Sequence, residues 1–165
     1  MRAIHILFYK PQSSDHWLNH LVTFFTPPFS HCDMQFEDEY ASSIYQNEPV
    51  YFEKKNFTRN NYVRVSLSFS DEEYSKIYEF CQKAHKSQVW FDPVGMIGSF
   101  LPFYFFTPTK KTFCSRYVIE ALQQSERSDF CNLCSAKMNP SKLYFHLNEM
   151  NKSFLHVSRT RMINL

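Results

Sequence analysis

Two glycines, Gly95 and Gly98, serve a chain of 165 residues in which 18% of the side chains are aromatic. Without a Gly-rich turn no backbone loop can wrap a phosphate closely, so P-loop and dinucleotide fingerprints are excluded. The core must be built from large side chains. At 44% apolar residues, the length suits one compact domain, residues 1–165, that buries most of its apolar surface.

The formal charge of +2 is small and the basic residues are dispersed, which gives no electrostatic footprint for nucleic acid or a membrane surface. Lys54-Lys55 and Lys110-Lys111 read as solvated loop charges. The opening "MRAIHILFYK" has too short an apolar core for a signal peptide and lacks a cleavage site, and it reads as a strand. The longest apolar stretch, "GMIGSFLPFYFFTP" (residues 95–108), is interrupted by Pro102 and falls short of the roughly 18 to 20 residues of a membrane span. Five cysteines, an odd number at irregular spacing, favour a reducing compartment and free thiols. A cytoplasmic protein without a membrane span is the expectation.

Residues 3–9 form a first strand rich in Ile, Leu and Phe. Ser13 or Ser14 is placed to cap a helix carrying Trp17, Leu18, Leu21, Val22 and Phe25, which Pro27 and Pro28 end. Residues 30–36, 41–46, 50–54 and 62–69 read as four strands in an antiparallel meander. "SDEEYSKIYEFCQKAHK" then opens with a capping box, Ser70 with Glu73, and carries apolar residues at 74, 77, 78 and 81. Further helices begin near Cys114 and at Pro140, and residues 154–157 suggest a last short strand. This order of elements indicates an α+β fold.

In "TFCSRYVIEAL" a cysteine stands where a polar turn becomes an amphipathic helix. Cys114 there feels exposed backbone N–H groups and the positive end of the helix dipole, both of which favour thiolate over thiol. A buried core cysteine fits the same position. Among seven histidines, His31 opens a strand on which His31, Asp33 and Gln35 share one face, while Cys32, Met34 and Phe36 share the other. The polar face borders a cleft or solvent.

Four stretches in order, "HWLNHLVTFFTPPFSHCDMQF", "ASSIYQNEPVYFEKKNF", "FDPVGMIGSFLPF" and "FCSRYVIEAL", give nearly the whole chain a resemblance to a known family. It resembles the circularly permuted papain-like cysteine hydrolases, the permuted branch of the NlpC superfamily that includes YiiX-like proteins and, more distantly, the lecithin retinol acyltransferase group. The resemblance implies an antiparallel meander or half-barrel packed against helices, with the nucleophile at a helix N-terminus. It implies that Cys114 and His31 meet in one cleft as nucleophile and base, in the reverse of papain's chain order. By residue class Asp33 matches the acidic position of the family's Ser-His-x-Glu strand and is the expected orienting residue; Ser42, Ser43 and Gln46 on the next strand are the alternatives. Phe91 stands where the family commonly has Tyr. Members occur in bacteria, phages, eukaryotic viruses and cells, so a viral protein acting inside its host is included.

The function implied is a thiol hydrolase, protease or amidase, cleaving an amide, ester or thioester in a peptide, isopeptide or lipid-acyl substrate without a cofactor. Two alternatives use the same scaffold. One is an acyltransferase or lipase-like enzyme with an acyl site in the aromatic run 100–106; the other is a catalytically impaired binding module. Separately, Cys131 and Cys134, with Cys81 and His85 one helical turn apart, have the spacing of a Cys3His zinc site, although no metal is assigned.

Overall fold

The computed structural model describes residues 1–57, 61–101 and 111–163, with residues 153–163 described by their backbone alone. The chain runs β1 (Arg2–Tyr9), α1 (Trp17–Phe25), β2 (His31–Phe36), β3 (Tyr40–Ser43), β4 (Tyr51–Lys54), β5 (Tyr62–Phe69) and α2 (Asp71–Lys86). It continues with β6 (Trp90–Phe91), α3 (Pro93–Gly98), β7 (Lys111–Thr112), α4 (Cys114–Gln123), α5 (Ser128–Cys131), a 3-10 turn at Ser135–Lys137 and α6 (Pro140–Ile163). The fold is α+β.

Five antiparallel strands make one sheet in the order β4-β3-β2-β1-β5. The expected meander holds through β2, β3 and β4, but β5 does not follow β4. It crosses to the far side of β1 and pairs along that strand's whole length, from Arg2↔Phe69 to Tyr9↔Tyr62. Length explains the choice: β4 offers four residues, whereas β1 offers eight. The alternation of β5, with Val65, Leu67 and Phe69 buried and Arg64, Ser66 and Ser68 exposed, suits an edge strand with one wet face.

On the core face Ile4, Ile6 and Phe8 of β1 meet Cys32, Met34 and Phe36 of β2, and α2 and α4 cover them with Tyr74, Ile77, Tyr117 and Val118. Burial of such aromatic and aliphatic side chains contributes about 1.5–3 kcal/mol each. The capping box forms as expected: the Glu73 N–H donates to Ser70 Oγ at 3.2 Å and the Ser70 N–H to Glu73 Oε2 at 2.7 Å.

Two other expectations change. His16, not Ser13 or Ser14, caps α1, accepting from the Leu18 N–H, because Asp15 is drawn into bonds from the Tyr9 hydroxyl (2.7 Å) and the Gln12 N–H (2.9 Å). Residues 154–157 are helical backbone within α6 and not a strand, since after Pro140 no Gly or Pro interrupts the helix. Much of the aromatic run 100–106, and Lys110, lie outside the described residues.

Candidate functional site

The sheet and α4 bring the expected residues together. The chain reaches His31 through residues 26–29, which Ser141 at the start of α6 pins: its hydroxyl accepts from the Phe29 N–H (3.1 Å) and donates to the Thr26 carbonyl (2.6 Å). Cys114 is delivered by the parallel pair β6 and β7, in which Phe91 lies opposite Thr112 and the Asp92 N–H donates to the Thr112 carbonyl at 2.7 Å. Ser115 then ties the first turn of α4 to the Met138 carbonyl at 2.7 Å. Phe113, the residue before the helix, provides no side-chain cap, so the N–H groups of that turn are not claimed by one.

His31 and Cys114 line one cleft of about 440 Å³, bordered also by Val22, Tyr45, Phe91 and Met96. Both are buried, at 9% and 6% exposure. His31 Nε2 lies 3.3 Å from Asp33 Oδ1, which leaves Nδ1 for Cys114. Of the alternatives, Ser43 Oγ stands 3.4 Å from Nε2 but donates at 2.7 Å to the Cys32 carbonyl. Ser42 bonds elsewhere, to the Tyr51 carbonyl (2.8 Å) and the Tyr117 hydroxyl (2.6 Å). Gln46 lines the cleft and is exposed. Asp33 is therefore the orienting contact of the imidazole.

The electrostatics follow from these contacts. Burial pulls the His31 imidazolium down, but the charges of Asp33 and Cys114 and hydrogen bonds to both prevail and raise it to about 10. At Cys114 the strongest influence is the Cys32 thiol, which donates to the sulfur. Burial opposes it, the His31 charge and hydrogen bond add to it, and the thiol ends well below its ordinary value. Asp33 is fully buried; burial would raise its carboxyl, yet His31, the Tyr51 hydroxyl and the Lys55 charge lower it. These displacements all favour a thiolate–imidazolium pair backed by a carboxylate.

Several participants escaped the sequence reading. Cys32 belongs by alternation to the core face, and nothing in a two-residue period shows that the start of α4 packs there. Tyr51 lies opposite Ser43 in the β3–β4 hairpin, a register that local pattern does not fix. Its hydroxyl and that of Tyr45 (3.4 Å) both donate to Asp33 Oδ1. Lys55 is not a solvated loop charge: it is half-buried, with Nζ 4.5 Å and 4.4 Å from the ring centres of Tyr45 and Tyr51.

The cysteines set aside for zinc do not converge. Cys81 sits in the core, where burial pushes its thiol up to about 12, and His85 Nδ1 engages the Val50 carbonyl at 2.8 Å. Cys131 and Cys134 are exposed, and among the described residues no group of three or more His, Cys, Asp or Glu could hold a metal ion. Among the described residues, no helix is long and apolar enough to cross a membrane. No family model, curated protein or solved structure matches the chain.

Proposed function

We propose that the chain is a thiol hydrolase of peptidase or amidase type, on a circularly permuted papain-like scaffold, acting on an amide, ester or thioester carbonyl. In this reading His31 Nδ1 holds the Cys114 proton and the thiolate attacks the carbonyl carbon. The backbone N–H of Cys114 faces the developing oxyanion, and the imidazolium returns its proton to the leaving group. Water, deprotonated by His31, then attacks the acyl carbon, the acid product leaves, and the Cys114 thiolate is expelled beside the His31 imidazolium. Asp33 keeps the imidazole in plane and favours its charged form.

The observation that carries this reading is the meeting of Cys114 and His31 in one cleft with opposite pKa displacements. Two titratable groups displaced in opposite directions within one cleft are the pattern that acid–base and nucleophile assignments produce.

The test is the rate of iodoacetamide alkylation at Cys114 against pH, read by mass spectrometry. The wild type should react at pH 6 far faster than a free thiol with a pKa near about 8.5, and His31→Ala should abolish that reactivity. A Cys114 that is inert at all pH values, or indifferent to His31, overturns the hydrolase and leaves a binding scaffold.

One observation favours a lipid-acyl substrate as a second reading. Beside the cleft, Trp17, Phe24 and Phe25 of α1 and Val94, Ile97 and Leu101 in and after α3 are exposed, and these helices carry no Asp, Glu, Lys or Arg. Turnover of long-chain esters by Cys114, with no turnover of peptides, would select it.

A further inference from the structure

A buried carboxylate is stable only where donors replace its lost water, and Asp33 has an unequal supply. Its Oδ1 faces His31 Nε2 and accepts from the Tyr45 and Tyr51 hydroxyls, whereas Oδ2 is buried without a hydrogen-bond partner. The orientation of the carboxylate, and hence of the imidazole, thus depends on the two phenols.

The phenols are themselves held. The rings of Tyr45 and Tyr51 stack at 5.5 Å and 8°, and His31 stacks on Tyr45 at 4.6 Å and 17°. The Lys55 ammonium donates to the Tyr45 hydroxyl at 2.8 Å and lies over the rings of Tyr45, Tyr51 and Phe57. Its main chain is anchored: the Lys55 N–H donates to the Glu39 carbonyl (3.1 Å), and its carbonyl accepts from Gln35 Nε2 (3.3 Å).

We propose that Lys55 and Tyr45 are positioning residues for the Cys114 chemistry, the ammonium acting through the Tyr45 hydroxyl to hold Asp33 and His31 in register. This rests on the hydrolase reading, whose machinery it extends by a further layer. Packing alone would require no bond from Lys55 to the phenol oxygen. With that bond Lys55 polarises the Tyr45 hydroxyl, which donates to the same carboxylate oxygen that faces His31 Nε2. The rings contribute cation–π attraction that keeps the ammonium in place. Burial and the Asp33 charge push both phenols well up, so Tyr45 and Tyr51 remain O–H donors over the accessible pH range. The other titratable groups that face the network are Tyr62 of β5, beside Tyr45, Cys114 of α4, beside His31, and Cys32, beside Cys114.

The experiment titrates the His31 imidazole by NMR in the wild type, Lys55→Met, Lys55→Arg and Tyr45→Phe, alongside the alkylation rate of Cys114 at pH 6. Lys55→Met keeps the apolar stem and removes the charge; Tyr45→Phe keeps the stacked ring and removes the hydroxyl. Either should slow alkylation by about three- to tenfold and lower the His31 pKa through loss of the Asp33 contact, the opposite of the rise that deleting a like charge at Lys55 would cause by itself. Lys55→Arg should restore most of the loss. A wild-type His31 titration in folded Lys55→Met, or in Tyr45→Phe should Lys55→Met fail to fold, overturns the proposal. The two readings fail separately: an inert wild-type Cys114 removes the hydrolase, while a His31 titration insensitive to Lys55 and Tyr45 removes the clamp.

Discussion

His31 and Asp33 stand two residues apart on β2, and their side chains close to 3.3 Å between Nε2 and Oδ1. Residues i and i+2 on a strand are separated by about 6.5 Å and point to the same face, so a direct contact requires the imidazole to lean along the strand. Tyr45 provides that lean by stacking on the ring. A carboxylate can therefore reach an imidazole two residues before it on the same strand.

Replacing Asp33 by Asn keeps the volume and removes the charge. The His31 pKa should fall from its raised value of about 10, and with it the proton that stabilises the Cys114 thiolate. A close opposite charge is worth about one to three pKa units. Alkylation of Cys114 at pH 6 should then slow by roughly tenfold or more. An unchanged pH–rate profile in Asp33→Asn would remove the carboxylate from the mechanism.

Cys32 makes a second, independent prediction. The Cys32 thiol is the strongest influence that lowers Cys114, so Cys32→Ala should raise the Cys114 pKa, read from thiolate ultraviolet absorbance. Cys32→Ser retains an O–H donor of nearly the same shape and should behave much more like wild type. If the two variants shift the Cys114 titration equally, Cys32 serves packing alone.

Local pattern made much of this legible. The two-residue period separates His31 and Asp33 from Cys32, Met34 and Phe36, the capping box sets the start of α2, and the turn before Cys114 marks the start of α4. Long-range register did not follow from local pattern. That β5 pairs with β1 depends on matching strand lengths across the sheet, and that Tyr51 reaches Asp33 depends on the pairing of Ser43 with Tyr51. Lys55 looked solvated because a charge run carries no sign of the aromatic rings that a hairpin places beneath it.

Gly95 is held to glycine by the cap of α3. A Cβ there would lie 2.2 Å from Asp92 Oδ2 and 2.7 Å from its Cγ, while Asp92 Oδ1 accepts from the Gly95 N–H at 2.8 Å. To make room the carboxylate must swing away and lose that bond. Gly95→Ala should destabilise the fold by about 1–2 kcal/mol in urea unfolding, the size of a lost N-cap. Because the Asp92 N–H also holds Thr112, Cys114 alkylation should slow too. Wild-type values for both would show that the cap has room to spare.

The ion pair also sets the pH dependence of stability. In an unfolded chain near neutral pH, His31 (6.5) is mostly neutral and Cys114 (9.0) is a thiol; in the fold the raised imidazole and the lowered thiol both favour their charged forms. Folding thus moves a proton from one group to the other and takes none from water between pH 6.5 and 9.0, so the pair contributes no slope there. The raised His31 contributes fully below 6.5 and loses its contribution as pH rises towards about 10. The lowered Cys114 contributes fully above 9.0 and loses its contribution as pH falls. Inside the window the two slopes cancel. The lowered Asp33 contributes above 3.8 and loses its contribution only in acid, outside the window. Cys114→Ser removes the thiolate, and with it part of what raises His31, but leaves the larger attraction of Asp33, so its stability should decline as pH rises from 6.5 to the reduced His31 pKa, by up to roughly 1.4 kcal/mol per pH unit. Urea unfolding of both proteins at half-unit pH intervals reads the contrast. A wild type that declines in parallel with Cys114→Ser would mean that Cys114 remains a thiol beside His31.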